Sequence, residues 1–156
     1  MNDNINVTGQ FNIKVIKNNK IIDEYTDDNL VLFTGRAALA HALASGEGVR
    51  INRIDLGTGG HDTSDVTAPK PGLEVGAEEL EALHTSKDLT DVTSTGNVLT
   101  VRVTIEADEG LTDGGSTGFS EAALGLSTGT LFSIKRFGIK TKTPDTSFEI
   151  TWTVTF

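Results

Sequence analysis

The chain has 156 residues, enough for one domain with a hydrophobic core and short of two. A net charge of -9, with 13 scattered basic residues, excludes a duplex-binding surface, which needs clustered Lys and Arg to neutralise phosphates. The lack of Cys excludes a disulfide scaffold and a thiolate metal site, and no apolar run reaches the roughly 20 residues that span a bilayer. Nucleic acid and membrane are therefore not expected partners, and the first residues, Met-Asn-Asp-Asn-Ile-Asn, do not read as a signal peptide.

Frequent Gly and Thr suit strands joined by flexible loops. Residues 1–10 are polar and Asn-rich and read as an arm. Phe11, Ile13 and Val15 then alternate with polar neighbours as a first strand, and Lys17-Asn-Asn-Lys20 turns the chain into a second extended run, Ile21 to Tyr25. The Ala- and Leu-rich segment Thr34 to Ala44 predicts a helix, with Thr34 as N-cap and Ser45-Gly46 as stop.

Val49 to Leu56 reads as a strand leaving through Gly57-Thr-Gly-Gly60, with a long polar loop to Gly72 beyond it. Gly76 to His84, with three acids near its start, predicts a second, short helix. Asp88 to Thr93 and Val98 to Ala107 form a hairpin around Ser94-Thr-Gly-Asn97, with Leu99, Val101, Val103 and Ile105 on one face. An acidic, Gly-rich loop, Asp108 to Gly118, precedes strands at Phe119 to Leu126, Thr130 to Phe137 and Gly138 to Thr143.

The last ten residues alternate without a fault. Phe148, Ile150, Trp152, Val154 and Phe156 share one face of a core strand, opposite a Thr-rich face. The expected architecture is mainly β, an antiparallel, jelly-roll-like β-sandwich over 11–156 with one short α-helix in the N-terminal third, behind the flexible arm 1–10.

Signals for chemistry are sparse. His41, His61 and His84 lie in separate segments without ligand spacing. Gly57-Thr-Gly-Gly60 lacks the helix and the Lys-Ser/Thr of a phosphate loop, so its glycines read as a tight exit from the strand. Asp62 and Asp65, and Asp108, Glu109 and Asp113, do not follow a calcium-loop pattern and read as solvated charge. One Tyr and one Trp make a poor platform for sugars.

Glu121 stands out inside the apolar run Phe119-Ser-Glu-Ala-Ala-Leu-Gly-Leu126. A carboxylate there needs partners, so Glu121 is expected to be structural, holding backbone amides or an Arg such as Arg136. No catalytic, cofactor-binding or metal-ligating residue is assigned, and no cofactor is expected.

Taken in order, the N-terminal hairpin, Thr34-Gly-Arg-Ala-Ala-Leu39, Ile54-Asp-Leu-Gly-Thr-Gly59, Phe119-Ser-Glu-Ala-Ala-Leu124, Gly129-Thr-Leu-Phe132, Lys140-Thr-Lys142 and the closing strand carry a family resemblance. The chain resembles bacteriophage virion proteins of the tail-collar-fibre and baseplate-associated kind. The resemblance implies a non-enzymatic structural subunit located in the virion, assembling with itself as a ring or trimer and with neighbouring phage structural proteins. A tail, collar or baseplate adaptor is the leading expectation. A capsid decoration protein is the nearest alternative, and a glycan-binding adhesin module, using the loops at 57–72 and 108–118, comes third.

Overall fold

A computed structural model describes residues 6–72 and 77–156. Nine strands and one helix follow in chain order: β1 Thr8–Lys17, β2 Lys20–Val31, α1 Phe33–Ser45, β3 Ile51–Gly57, β4 Leu83–Asp88, β5 Asp91–Thr95, β6 Val98–Ile105, β7 Thr117–Leu126, β8 Leu131–Lys142 and β9 Thr146–Thr155. They form one antiparallel sheet, curled into a half-barrel, in the order β4-β3-β7-β8-β2-β1-β9-β6-β5. The expectation of a mainly β, antiparallel protein with one short helix holds in these coarse terms. The two halves that face each other belong to one hydrogen-bonded sheet.

Strand β2 is the bend between the halves. It pairs with β1 from Lys20 to Asn29, but with β8 only at Leu30 and Val31. Beyond that point β8 swings over the inner face, and the core fills the space between. Phe11 of β1 stacks on Phe137 of β8 with centroids 5.3 Å apart and meets Trp152 of β9 edge-on at 4.9 Å. Phe119 of β7 meets Phe148 of β9 edge-on at 5.9 Å. These offset and edge-on contacts are the arrangements that aromatic quadrupoles favour.

The period-two reading of β9 is met at Phe148, Ile150, Trp152 and Val154, all buried beside Phe11, Ile13 and Val15. Phe156 is a correction. It lies one residue past β9, where its amide bonds the Asn97 carbonyl, and 38% of it is exposed. The alternation continues in the sequence after the buried face has ended.

The β1–β2 turn uses Asn18 and Asn19 at φ 52° and 59°, the left-handed pair that a two-residue hairpin requires and that Asn tolerates. Five further expectations change. The arm is shorter than residues 1–10, because Thr8, Gly9 and Gln10 pair with β9, and Gly9 and Gln10 with β2 as well; residues 1–5 lie outside the described residues. Leu32, not Thr34, is the N-cap of α1; Thr34 lies inside the helix and donates its Oγ1 hydroxyl to the Leu131 carbonyl at 2.8 Å. The stop at Gly46 is met, with φ 73°.

The expected helix at 76–84 does not form over Ala77–His84. Its last two residues open β4, and the amides of Glu81 and Ala82 are bound elsewhere; Gly76 lies outside the described residues. The single strand expected at 88–93 is the end of β4 and the start of β5, which lie at opposite edges of the sheet. Only Leu89 and Thr90 separate them, so the two edges approach each other at this corner. Lys87 spans the seam there, donating to the Thr104 carbonyl at 2.8 Å and to Glu109 at 2.5 Å. Finally, residues 131–142 form one strand whose register with β7 shifts between Phe119 and Glu121.

Candidate functional site

Glu121 organises a buried polar cluster where β3, β4 and β7 meet. It is fully buried on β7, and one turn of chain from each side converges on its carboxylate. Oε1 accepts the amides of Ala82 at 2.8 Å and Gly59 at 3.1 Å, and Oε2 accepts the amide of Glu81 at 3.1 Å. A buried carboxylate is costly unless its lone pairs are filled, and three amide donors do this here.

The glycines after β3 follow from the same carboxylate. A Cβ on Gly57 would sit 2.5 Å from Glu121 Oε1, one on Gly59 2.8 Å from Glu81 Cβ, and one on Gly60 would overlap the Ser120 carbonyl. Gly57-Thr-Gly-Gly60 is thus a strand exit threaded against Glu121 and Ser120. Thr58 closes the exit by donating its amide to the Ala82 carbonyl at 2.9 Å.

Beside Glu121, the buried Ser120 hydroxyl oxygen accepts the Gly60 amide at 2.9 Å and lies 3.1 Å from His61 Nδ1. This contact fastens the loop that follows. Within it, Asp62 accepts the amide and hydroxyl of Ser64, Asp65 accepts those of Thr67, and Lys70 returns its amide to the Gly60 carbonyl at 2.8 Å. These bonds, led by the Ser64 amide, hold the Asp62 carboxyl below its ordinary range. The loop then docks on β8, where Ile139 donates to the Val66 carbonyl at 2.8 Å and only a glycine fits at 138.

Arg136 stands opposite Glu121 in the β7–β8 register, and its Nη2 lies 3.8 Å from Glu81 Oε1. Lys70 holds the same Glu81 at 2.5 Å and is the main cause of its lowered pKa. Backbone amides thus fill the Glu121 carboxylate, and Arg136 also lies against the neighbouring Glu81.

The other candidates stay apart. His41 is exposed on α1, 3.5 Å from Glu47, and His84 on β4 packs edge-on against Phe119. Among the described residues no group of three His, Asp or Glu side chains is placed to hold a metal ion. Glu109, from the acidic loop at 108–118, is taken up by Lys87 and the Glu106 amide, which hold its carboxyl below the usual range.

Two features escaped the sequence. Lys142 is fully buried and donates to the carbonyls of Ala107 at 2.8 Å and Thr143 at 3.3 Å; burial pushes its ammonium below the lysine range despite Asp108, Glu109 and Glu106 nearby. Its alternating neighbours gave no sign of this. Across the β2–β8 opening, Lys135 reaches Asp27 at 2.6 Å and Lys140 reaches Asp23 at 2.8 Å, each over the Tyr25 ring at 5.9 Å. These pairs join strands more than a hundred residues apart.

At the far end of the fold an apolar groove of about 310 Å³ opens among Leu39, Val49, Val92, Leu99, Phe132 and Phe156. No family model, no curated protein and no solved structure matches the chain.

Proposed function

We propose that this chain is a non-enzymatic structural subunit of a bacteriophage virion, a small tail, collar or baseplate adaptor built in several copies. The observation that carries the reading is the Glu121 clamp. The segments Ile54-Asp-Leu-Gly-Thr-Gly59 and Phe119-Ser-Glu-Ala-Ala-Leu124, which bear the resemblance in the sequence, meet at one carboxylate. The fully buried Glu121 has its carboxylate oxygens occupied by amides, a use that serves rigidity. In the same reading the two facing halves of the sheet act as the leaves of a jelly-roll-like sandwich, a stiff block suited to repeated packing.

The test is antibody labelling of particles from the phage that encodes the chain, imaged by electron microscopy. Label on the tail, collar or baseplate is the expected result. Label over the head would replace the adaptor with a decoration protein, and unlabelled particles would overturn the virion reading.

A further inference from the structure

The exposed edge of a sheet is a template for a further strand, and proteins blunt such edges with charges, prolines or bulges. Where β2 and β8 part beyond Leu30 and Val31, Lys135 holds Asp27 and Lys140 holds Asp23 across the opening. Along the edge of β4, Lys87 reaches over to the Thr104 carbonyl and Glu109. Strand β5, Asp91-Val-Thr-Ser-Thr95, ends the sheet on its other side without such a guard. It contains neither Lys nor Pro and meets β6 without a bulge, and among the described residues its side chains make no hydrogen bond or ion pair.

The turn from β5 into β6 takes two residues, Gly96 and Asn97, with Gly96 at φ 60°. The closing pair of such a hairpin, here Thr95 and Val98, exchanges both backbone bonds, and alternation then turns the amides and carbonyls of Asp91 and Thr93 toward β6. Those of Val92 and Ser94 face the open edge. The side chains alternate as well: Val92 lies opposite buried Val101 and lines the apolar groove, whereas Thr93 is exposed on the outer face.

We infer that β5 pairs with β5 of a second copy, antiparallel, about a two-fold axis through Thr93. Val92 then exchanges both backbone bonds with Ser94 of the second copy, and the symmetry repeats the pair. On the outer face Thr93 meets its own counterpart and Asp91 meets Thr95, so the register sets no like charges opposite each other. That condition singles out β5 in a chain of net charge -9, because β2 would bring Asp23, Glu24, Asp27 and Asp28 against themselves. On the inner face the two Val92 side chains lie on the diagonal, within reach, so each extends the wall of the other copy's groove. The inference rests on the multi-copy reading only in naming the same chain as partner. Monomers that still enter particles would overturn the inference and leave that reading standing.

Because the chain has no Cys, a single introduced thiol reads the register. Thr93 faces its counterpart at about 4.5 Å between Cα atoms, a separation that a disulfide spans, so Thr93→Cys is expected to cross-link on mild oxidation. Thr95, equally exposed, lies roughly 13 Å from its counterpart, and Thr95→Cys should not cross-link. Sedimentation equilibrium of the whole chain adds a charge test. So short a contact predicts a wild-type dissociation constant of roughly 0.1–1 mM. Thr93→Lys and Thr93→Glu each set like charges on the axis and should be monomeric, and mixed one to one they should recover the dimer. Ser94→Pro removes an amide from the open edge and leaves the β5–β6 ladder intact, so it should be monomeric with an unchanged circular dichroism spectrum. Thr93→Cys cross-linking no faster than Thr95→Cys, a dimer that survives Ser94→Pro, or a mixture that stays monomeric would overturn the inference.

Discussion

Ala82 donates its amide to the carboxylate of Glu121, 39 residues away, at 2.8 Å, and through that bond the approach to β4 is fixed to the middle of β7. The same oxygen receives Gly59, so β3, β4 and β7 are locked at one point. Glu121→Gln keeps the shape but turns an amide donor toward at least one backbone donor. The expected cost is about 1–3 kcal/mol, and Glu121→Ala should cost at least as much. Gly60→Ala, which forces a Cβ into the Ser120 carbonyl, should cost about 1–3 kcal/mol with the carboxylate intact. Urea midpoints for the three variants measure this; unchanged midpoints would mean the clamp is dispensable.

Trp152 is fully buried, and its Nε1 has no hydrogen-bond partner among the described residues. The indole therefore contributes through its contacts with Phe11 and not through its polar atom. Trp152→Phe should cost roughly 1–2 kcal/mol, well below the roughly 3–5 kcal/mol of Trp152→Ala. Equal losses in chemical denaturation would show that the ring nitrogen matters after all.

How much of this was legible follows from which interactions are local. The buried face of β9 and the Asn18-Asn19 turn were readable because period two and positive φ are properties of neighbouring residues. Glu121 was readable because a carboxylate within an apolar run has few physical options. Its amide partners were not, since nothing near Glu81 announces a residue 40 positions ahead. The split between β4 and β5 was hidden for a similar reason: Asp88 to Thr93 is extended throughout in composition, and only the curl of the sheet sends its two halves to opposite edges.

The acid and alkaline limbs of stability should have different owners. Lys135 lowers the Asp27 carboxyl, Lys87 that of Glu109, and Lys70 that of Glu81. A carboxylate with a depressed folded pKa adds stability above its unfolded value and loses it as pH falls, so the loss belongs below about pH 4. These groups are exposed enough that salt should shrink the effect. Lys142 gives the same sign of slope at the alkaline end: with its folded pKa depressed by burial, the unfolded chain binds the proton better, and stability rises as pH approaches about 10. Unfolding midpoints across pH should flatten at the acid end in Asp27→Asn and at the alkaline end in Lys142→Met. A Lys142→Met profile identical to wild type would remove that lysine from the account.

The end of the buried face can be located by two substitutions. Val154 is enclosed between β1 and β6, whereas Phe156 lies beyond β9 at the rim of the groove. Val154→Asp buries an unpaired charge and should abolish folding, as should Val101→Asp and Ile150→Asp on the same inner surface. Phe156→Asp can turn its carboxylate to water and should fold, losing about 1 kcal/mol of apolar contact. Circular dichroism separates the cases directly. An unfolded Phe156→Asp would extend the core to the last aromatic, and a folded Ile150→Asp would mean that the inner face of β9 is assigned to the wrong side of the sheet.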